Sequence, residues 1–234
     1  MISQFDCLLV NGDSYSAADT RFPVYADHLS KILGVPLYNI SVAGSSNDRI
    51  LRSTIQKSHE LLSSHQSPLV IVGWSFLHRI EIWYHGSNEA IISKSPDQMS
   101  EHSQLRFLTL DWIPDKEIDI ETKKFLTSVD TIDKKITDWY LHMYLLADFF
   151  DSRNLRYLFF SAADNTDFPI TNFSALNQFS FVKSVKENRK IYDLDNFCIP
   201  TWAEMHDPNR RALTGHLSNT GHEHFATFLM ERLK

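Results

Sequence analysis

Two stretches far apart in the chain hold the residue types that nucleophilic catalysis uses. Near the N-terminus an apolar run (Phe5, Cys7, Leu8, Leu9, Val10) ends in Asn11-Gly12-Asp13-Ser14-Tyr15-Ser16. Near the other end stands Thr214-Gly215-His216-Leu217-Ser218-Asn219-Thr220-Gly221-His222-Glu223-His224. A serine hydroxyl is a weak nucleophile until a base takes its proton, and histidine is the base suited to neutral pH. A carboxylate can then orient the imidazole and stabilise its charged form. Ser14, His216 and Asp207, the last in Met205-His206-Asp207-Pro208, supply these three types, with Glu204 and Asp195 as further acids. Gly-Asp-Ser also occurs in plain turns, where Asp and Ser bond nearby amides. Chemistry at Ser14 therefore requires a fold that carries His216 to it.

The elements that must do this are legible from periodicity. The N-terminal run reads as a strand whose carboxyl end presents Ser14, with Gly12 allowing a sharp turn. Phe22, Tyr25, Ala26, Leu29 and Leu33 fall at helical spacing and stop at Gly34, a natural C-cap. A strand over 37–40 leads into Ser41-Val42-Ala43-Gly44-Ser45-Ser46-Asn47, and a second helix follows, with Ser45 or Ser46 as its N-cap. The apolar run Pro68 to Gly73 suits a parallel strand buried on both faces. A long amphipathic helix is predicted from Phe125 to near Arg153-Asn154, then a strand from Leu155 to Phe160 and a short helix around 175–182. An edge strand over 191–194 and a last helix from Asn219 to Leu233, capped by Ser218, complete the order. This alternation predicts one domain over 1–234: a three-layer, doubly wound, flavodoxin-like parallel sheet of about five strands. An irregular, aromatic-rich insertion at about 78–121 reads either as a lid or binding segment, or as a peripheral subdomain.

Composition narrows the functional classes. At 43% hydrophobic and 22% charged residues the chain has the balance of a globular domain, and no apolar run is long enough to span a bilayer. A net charge of -6 without a long Lys/Arg block argues against nucleic-acid or polybasic membrane contacts. Met1 to Asp6 lacks the features of a secretory signal, so a cytoplasmic location is expected. Cys7 and Cys198 are expected to be reduced and buried. No compact metal-ligand spacing occurs among His206, Asp207, His216, His222 and His224, so no metal is expected, and His222 and His224 read as packing or capping residues. No Gly-x-Gly-x-x-Gly or Walker-type loop follows a predicted strand, which weighs against a nucleotide site.

Together these stretches resemble the SGNH, or GDSL-type, hydrolase superfamily. Gly12-Asp13-Ser14 matches its first block, Asn39 through Gly44 its Asn-x-x-x-x-Gly second block, and His216 to His222 the His-Leu-Ser-x-x-Gly-His of its last block. The resemblance implies esterase activity on small acyl or acetyl esters, carbohydrate esters among them, with no metal or organic cofactor. Ser14 would be the nucleophile, His216 the base, and the amides of Ser14 and Gly44 the oxyanion donors. Two positions depart from the pattern. The third block, normally Gly-x-Asn-Asp, is Gly73-Trp74-Ser75-Phe76 here, and Leu213 stands where the acid three residues before the histidine belongs. Asn47 or the Ser75 hydroxyl is then the third oxyanion donor, and Asp207 the acid, unless a Ser-His dyad works with a backbone carbonyl. Asp13 and Arg79 are assigned to substrate contact. The competing readings are a loop-holding role for Asp13 and a surface ion pair for Arg79. A non-catalytic domain of this fold that binds a glycan or a protein is the rival to the enzyme.

Overall fold

Every residue of Cys7–Asn11 (β1) is buried, because parallel neighbours flank it on both edges and helices cover both faces. The computed structural model describes residues 5–77, 79–84, 104–109, 132–165, 176–194, 196–210 and 216–233. In chain order β1 is followed by α1 (Tyr25–Leu33), β2 (Leu37–Asn39), α2 (Asn47–Ser63) and β3 (Pro68–Trp74). Strands β4 (Arg79–Tyr84) and β5 (Gln104–Thr109) come next, then α3 (Ile132–Asp151) and β6 (Arg156–Ser161). A 3-10 turn (Leu176–Gln178), α4 (Ser180–Glu187), β7 (Ile191–Tyr192), α5 (Ile199–His206) and α6 (Asn219–Arg232) close the sequence of elements.

Five strands form one parallel sheet in the order β2-β1-β3-β6-β7. The chain steps outward from β1 to β2, then returns past β1 to β3 and continues in the opposite direction. Right-handed crossovers therefore place α1 on one face and α2, α3 and α4 on the other. The two cores follow this division. Cys7, Leu9, Val70, Val72, Trp74 and Phe159 point to the face covered by α2, α3 and α4. Leu8, Val10, Ile71, Leu158 and Phe160 point to the face covered by α1, α5 and α6. Alternate residues of one strand thus serve opposite layers, and the expected three-layer doubly wound sheet is present.

The predicted ends hold where a specific side chain enforces them. Ser46 accepts from the Arg49 amide at 3.2 Å and Ser218 from the Gly221 amide at 3.1 Å, so each caps its helix. Helix α1 begins at Tyr25 rather than Phe22, because the Asp27 carboxylate folds back on the Val24 amide at 2.8 Å. Helix α5 had no sequence expectation: Cys198 caps it through its sulfur and Pro200 sits in its first turn. In the insertion at about 78–121, β4 and β5 pair as an antiparallel ribbon, Arg79 opposite Thr109 and Tyr84 opposite Gln104. The rest of that insertion and the predicted helical residues 125–131 lie outside the described residues. Among the described residues no helix is long and apolar enough to cross a membrane.

Candidate functional site

Strand order reverses between β1 and β3, and at such a point the loops leaving the carboxyl ends diverge and open a crevice. The Ser14 turn leaves β1 there, and the Ser75 segment leaves β3 beside it. Three anchors shape the Ser14 turn. Asn11, the last residue of β1, donates to Ile50 O at 3.1 Å, Ser53 Oγ at 2.9 Å and Thr54 Oγ1 at 2.8 Å, which ties the strand end to α2. Its Oδ1 accepts from the Gly12 amide at 2.9 Å. Gly12 is required by crowding rather than by a special backbone angle. A Cβ there would stand 2.6 Å from Ser16 Oγ and 2.9 Å from Gly73 O. Beyond it, the amides of Ser16 and Ala17 return to Asp13 O at 3.0 and 2.8 Å. The Tyr15 amide reaches Asp13 Oδ1 at 3.0 Å. Ser14 is left half-buried at the apex of this turn.

The loop after β2 is tied to the same turn on both sides of Ser14. Val42 N donates to Gly12 O at 3.2 Å, and Asn39 Nδ2 donates to Ser16 O at 2.9 Å. Gly44 has φ of 82°, a left-handed conformation that a Cβ would strain, and it sits in this loop. Among the described residues, no acceptor meets the amides of Ser14 or Gly44.

His216 arrives from the far end of the chain. Its Nε2 lies 3.1 Å from Ser14 Oγ, a hydrogen bond across 202 residues of sequence. The imidazole also stacks on Tyr15, with ring centroids 4.4 Å apart and planes 15° apart. Both meet the geometric demand on a nucleophile and its base.

The remaining residues expected at the site are placed elsewhere by their partners. Asp207 is buried, and its carboxylate accepts from Ser218 N at 2.6 Å, Ser218 Oγ at 2.7 Å and Asn209 N at 3.2 Å. Neither a hydrogen bond nor an ion pair joins it to His216. The start of α6 has amides with no partner in the helix, and a buried carboxylate needs donors, so the two satisfy each other. Asp207 thus serves as a helix-start anchor in place of the expected acid. Glu204 is exposed and pairs with Arg210 at 3.6 Å. Asp195 lies outside the described residues.

The expected third oxyanion donors are likewise occupied. Ser75 is fully buried and gives its hydroxyl proton to Asp13 Oδ2 at 2.8 Å. Asn47 accepts from Ser75 N at 2.8 Å and donates to Ser75 O at 3.3 Å, so its amide pins the segment after β3 to the first turn of α2. Asp13, assigned to substrate contact, has no exposed surface; its Oδ2 also receives Arg79 Nη1 at 2.7 Å. Arg79 Nη1 further donates to Ser75 Oγ at 2.8 Å, and its guanidinium lies over Phe76, 4.7 Å from the ring centroid. The Arg79 ion pair is therefore one with the buried Asp13 and not a surface contact.

His222 reads as a capping residue, and the structure gives it that task in another helix. Its Nδ1 accepts from Tyr25 N at 3.1 Å, an amide in the first turn of α1. Burial and then the neighbouring His28 push its pKa down to about 4, against smaller opposing pulls from Asp207 and Asp19. The ring is neutral at neutral pH, as an acceptor at Nδ1 must be. Tyr25 in turn donates its hydroxyl to Ser16 Oγ at 2.8 Å, which links α6 to the Ser14 turn through α1.

Sequence reasoning missed Asn11, Tyr15 and Asn165 as parts of this assembly. Asn165 accepts from the Leu77 amide at 3.1 Å and so braces the segment after β3 from the β6 side. For Asn11 a signal was available: a single amide side chain ends an otherwise apolar strand. Among the described residues, no group of three or more His, Cys, Asp or Glu is arranged to hold a metal ion.

Residues 20–222 match a family of unknown function, DUF6071, over most of the chain. The chain belongs to this family. The matched segment takes in His216 and begins after Ser14. No curated protein matches the chain.

Proposed function

We propose that this chain is a serine-dependent ester hydrolase of SGNH type, acting on small acyl or acetyl esters, with carbohydrate esters among the candidate substrates. One observation carries the reading: Ser14 Oγ lies 3.1 Å from His216 Nε2 at the switch point of a doubly wound sheet. In the first step Ser14 Oγ bonds to the ester carbonyl carbon while its proton passes to His216 Nε2. The carbonyl π pair moves onto oxygen, and the amides of Ser14 and Gly44 are the donors available to that oxyanion. The oxyanion pair then re-forms the carbonyl, the ester C–O bond breaks, and the departing alkoxide takes the proton from His216. Water, deprotonated by the same imidazole, cleaves the acyl-serine and regenerates both groups.

A second reading, a non-catalytic domain of the same fold that binds a glycan or a protein, draws on the commitment of Asn47, Ser75 and Asp207 to structural bonds. A fluorophosphonate probe separates the two. The enzyme reading expects labelling of the natural chain and its loss in Ser14→Ala and His216→Ala, each with a fall of at least about a thousandfold in turnover of an activated acetyl ester. An inert natural chain favours the binding module instead, and labelling that persists in Ser14→Ala overturns Ser14 as the nucleophile.

A further inference from the structure

We propose that Tyr15 is a positioning residue for His216, its ring face holding the imidazole plane toward Ser14 and stabilising the imidazolium that forms when the Ser14 proton is taken. The inference rests on the hydrolase reading for its catalytic consequence, while the stack itself is geometric.

The two rings are 4.4 Å apart and close to parallel, well inside the range at which an aromatic face attracts a cation. A hydrogen bond from Nε2 to Ser14 Oγ acts on one edge of the imidazole, whereas the stack on Tyr15 acts on its plane. The Tyr15 ring is itself immobilised. Its amide is bound to Asp13 Oδ1 at 3.0 Å, the residue is 5% exposed, and the Phe76 ring centroid lies 6.4 Å away. Tyr15 immediately follows the nucleophile, so the turn that presents Ser14 also places the ring on which its base rests.

The electrostatic part follows from what surrounds the ring. Burial first, then the charge of Asp13, raises the pKa of the Tyr15 phenol; Asp164 and Cys198 act in the same sense, and Arg79 opposes them. The phenol stays neutral throughout the range in which histidine titrates, and its π face is a constant feature. The charge of His216 is also a small contribution to the lowered pKa of His222. A π face attracts imidazolium more than neutral imidazole, so the interaction strengthens as Ser14 Oγ gives up its proton, and binding that grows toward the transition state raises kcat.

NMR titration of His216, assigned through its loss in His216→Gln, tests this without requiring any substrate. The comparison uses the natural chain, Tyr15→Phe, Tyr15→Leu, and pentafluorophenylalanine at position 15, which keeps the ring shape but makes its face electron-poor. Tyr15→Phe should titrate with the natural chain. Leucine and pentafluorophenylalanine should each lower the His216 pKa by about 0.4 to 1.5. For ester turnover the matching expectation is a fall in kcat of about 2- to 30-fold with KM unchanged. An unchanged titration in both variants, or recovery by the fluorinated ring, overturns the proposal, since packing alone would then account for the stack. If the leucine variant does not fold, the fluorinated ring carries the test. Failure of the hydrolase reading appears separately, as an unlabelled natural chain.

Discussion

Two polar assemblies flank the Ser14–His216 contact, and they hold its two halves by different physics. On the serine side, Asp13, Ser75 and Arg79 form an ion-pair triangle at the edge of the sheet, with the Asp13 side chain 0% and the Arg79 side chain 14% exposed. On the histidine side, acceptors meet the unpaired amides at helix starts: Asp207 at Ser218 before α6, and His222 at Tyr25 in α1. The first assembly depends on charges that need each other, because neither can be left alone in an interior that solvates ions poorly. The second depends on hydrogen bonds to backbone, one of them from a residue that must remain neutral. Ser14 is thus framed by buried charges at the sheet edge, while His216 lies beside helix starts held by hydrogen bonds to backbone amides. This difference predicts which perturbations unfold the site abruptly and which do so gradually.

The largest expected effect comes from separating the charges. Arg79→Met leaves the Asp13 carboxylate buried with only Ser75 Oγ and the Tyr15 amide for company, and should lower the free energy of unfolding by about 3–5 kcal/mol in urea denaturation. The double variant Asp13→Asn with Arg79→Met should recover much of that loss, since no uncompensated charge remains. A single variant within about 1 kcal/mol of the natural chain would mean that solvent screens the pair and that the two sides of the site are held alike.

Acid should act on the histidine side. The pKa of His222 lies near 4 in the folded chain against an ordinary 6.5. Above pH 6.5 the ring is neutral in both folded and unfolded chains, and pH has no leverage through it. Between 6.5 and 4 the unfolded chain binds a proton that the folded chain refuses, so stability falls with falling pH and levels off below about 4. The total loss through this one group is on the order of 3 kcal/mol. His222→Asn keeps an acceptor within reach of the Tyr25 amide without a group that titrates in this window. Chemical denaturation at pH 7, 5.5 and 4.5 should show a flatter profile in that variant, and an equally steep one would assign the acid sensitivity to other groups.

The same contrast explains what was legible in the sequence. Periodicity and caps are local, and so the order of strands and helices, the caps at Ser46 and Ser218 and the stop at Gly34 could be read directly. Ser14 and His216 were also readable, because each sits at a strand or helix end with a distinctive local pattern. The partners of Asp13, Ser75, Asn47 and Asp207 were not. A carboxylate beside a serine is chemically the same whether it faces substrate or a buried guanidinium, and which occurs depends on loops brought together by strand order. Arg79 shows this most plainly: in the chain it stands beside Glu81, yet its bond is to Asp13, 66 residues away. Tyr15 was hidden for another reason, since an aromatic residue after Ser14 reads as core until the ring it covers is in view.

Smaller effects should distinguish crowding from bonding within the histidine side. A Cβ on Gly221 would overlap the Asp207 carboxylate, so Gly221→Ala should cost about 1–3 kcal/mol despite the better helix propensity of alanine. In an Asp207→Ala background the same change should cost little or become favourable, and a calorimetric comparison of the four chains measures that coupling.

The smallest effect belongs to Ser218. Its hydroxyl accepts from the Gly221 amide and donates to Asp207 Oδ1, but its own amide, which no side-chain replacement removes, still reaches Asp207 Oδ2. Ser218→Ala should therefore cost about 1 kcal/mol, the ordinary worth of an N-cap, with the Asp207 carboxylate still anchored and the His216–Ser14 contact in place. Ser218→Asp would put a second carboxylate beside Asp207, so like-charge repulsion should cancel the benefit that aspartate brings as an N-cap elsewhere. Measured against Arg79→Met, the alanine variant tests the comparison at its weak end. If losing one cap hydroxyl costs as much as breaking the buried ion pair, the two sides of the site are held by one cooperative network rather than by two separable braces, and the His216 side is as rigid as the frame around Ser14.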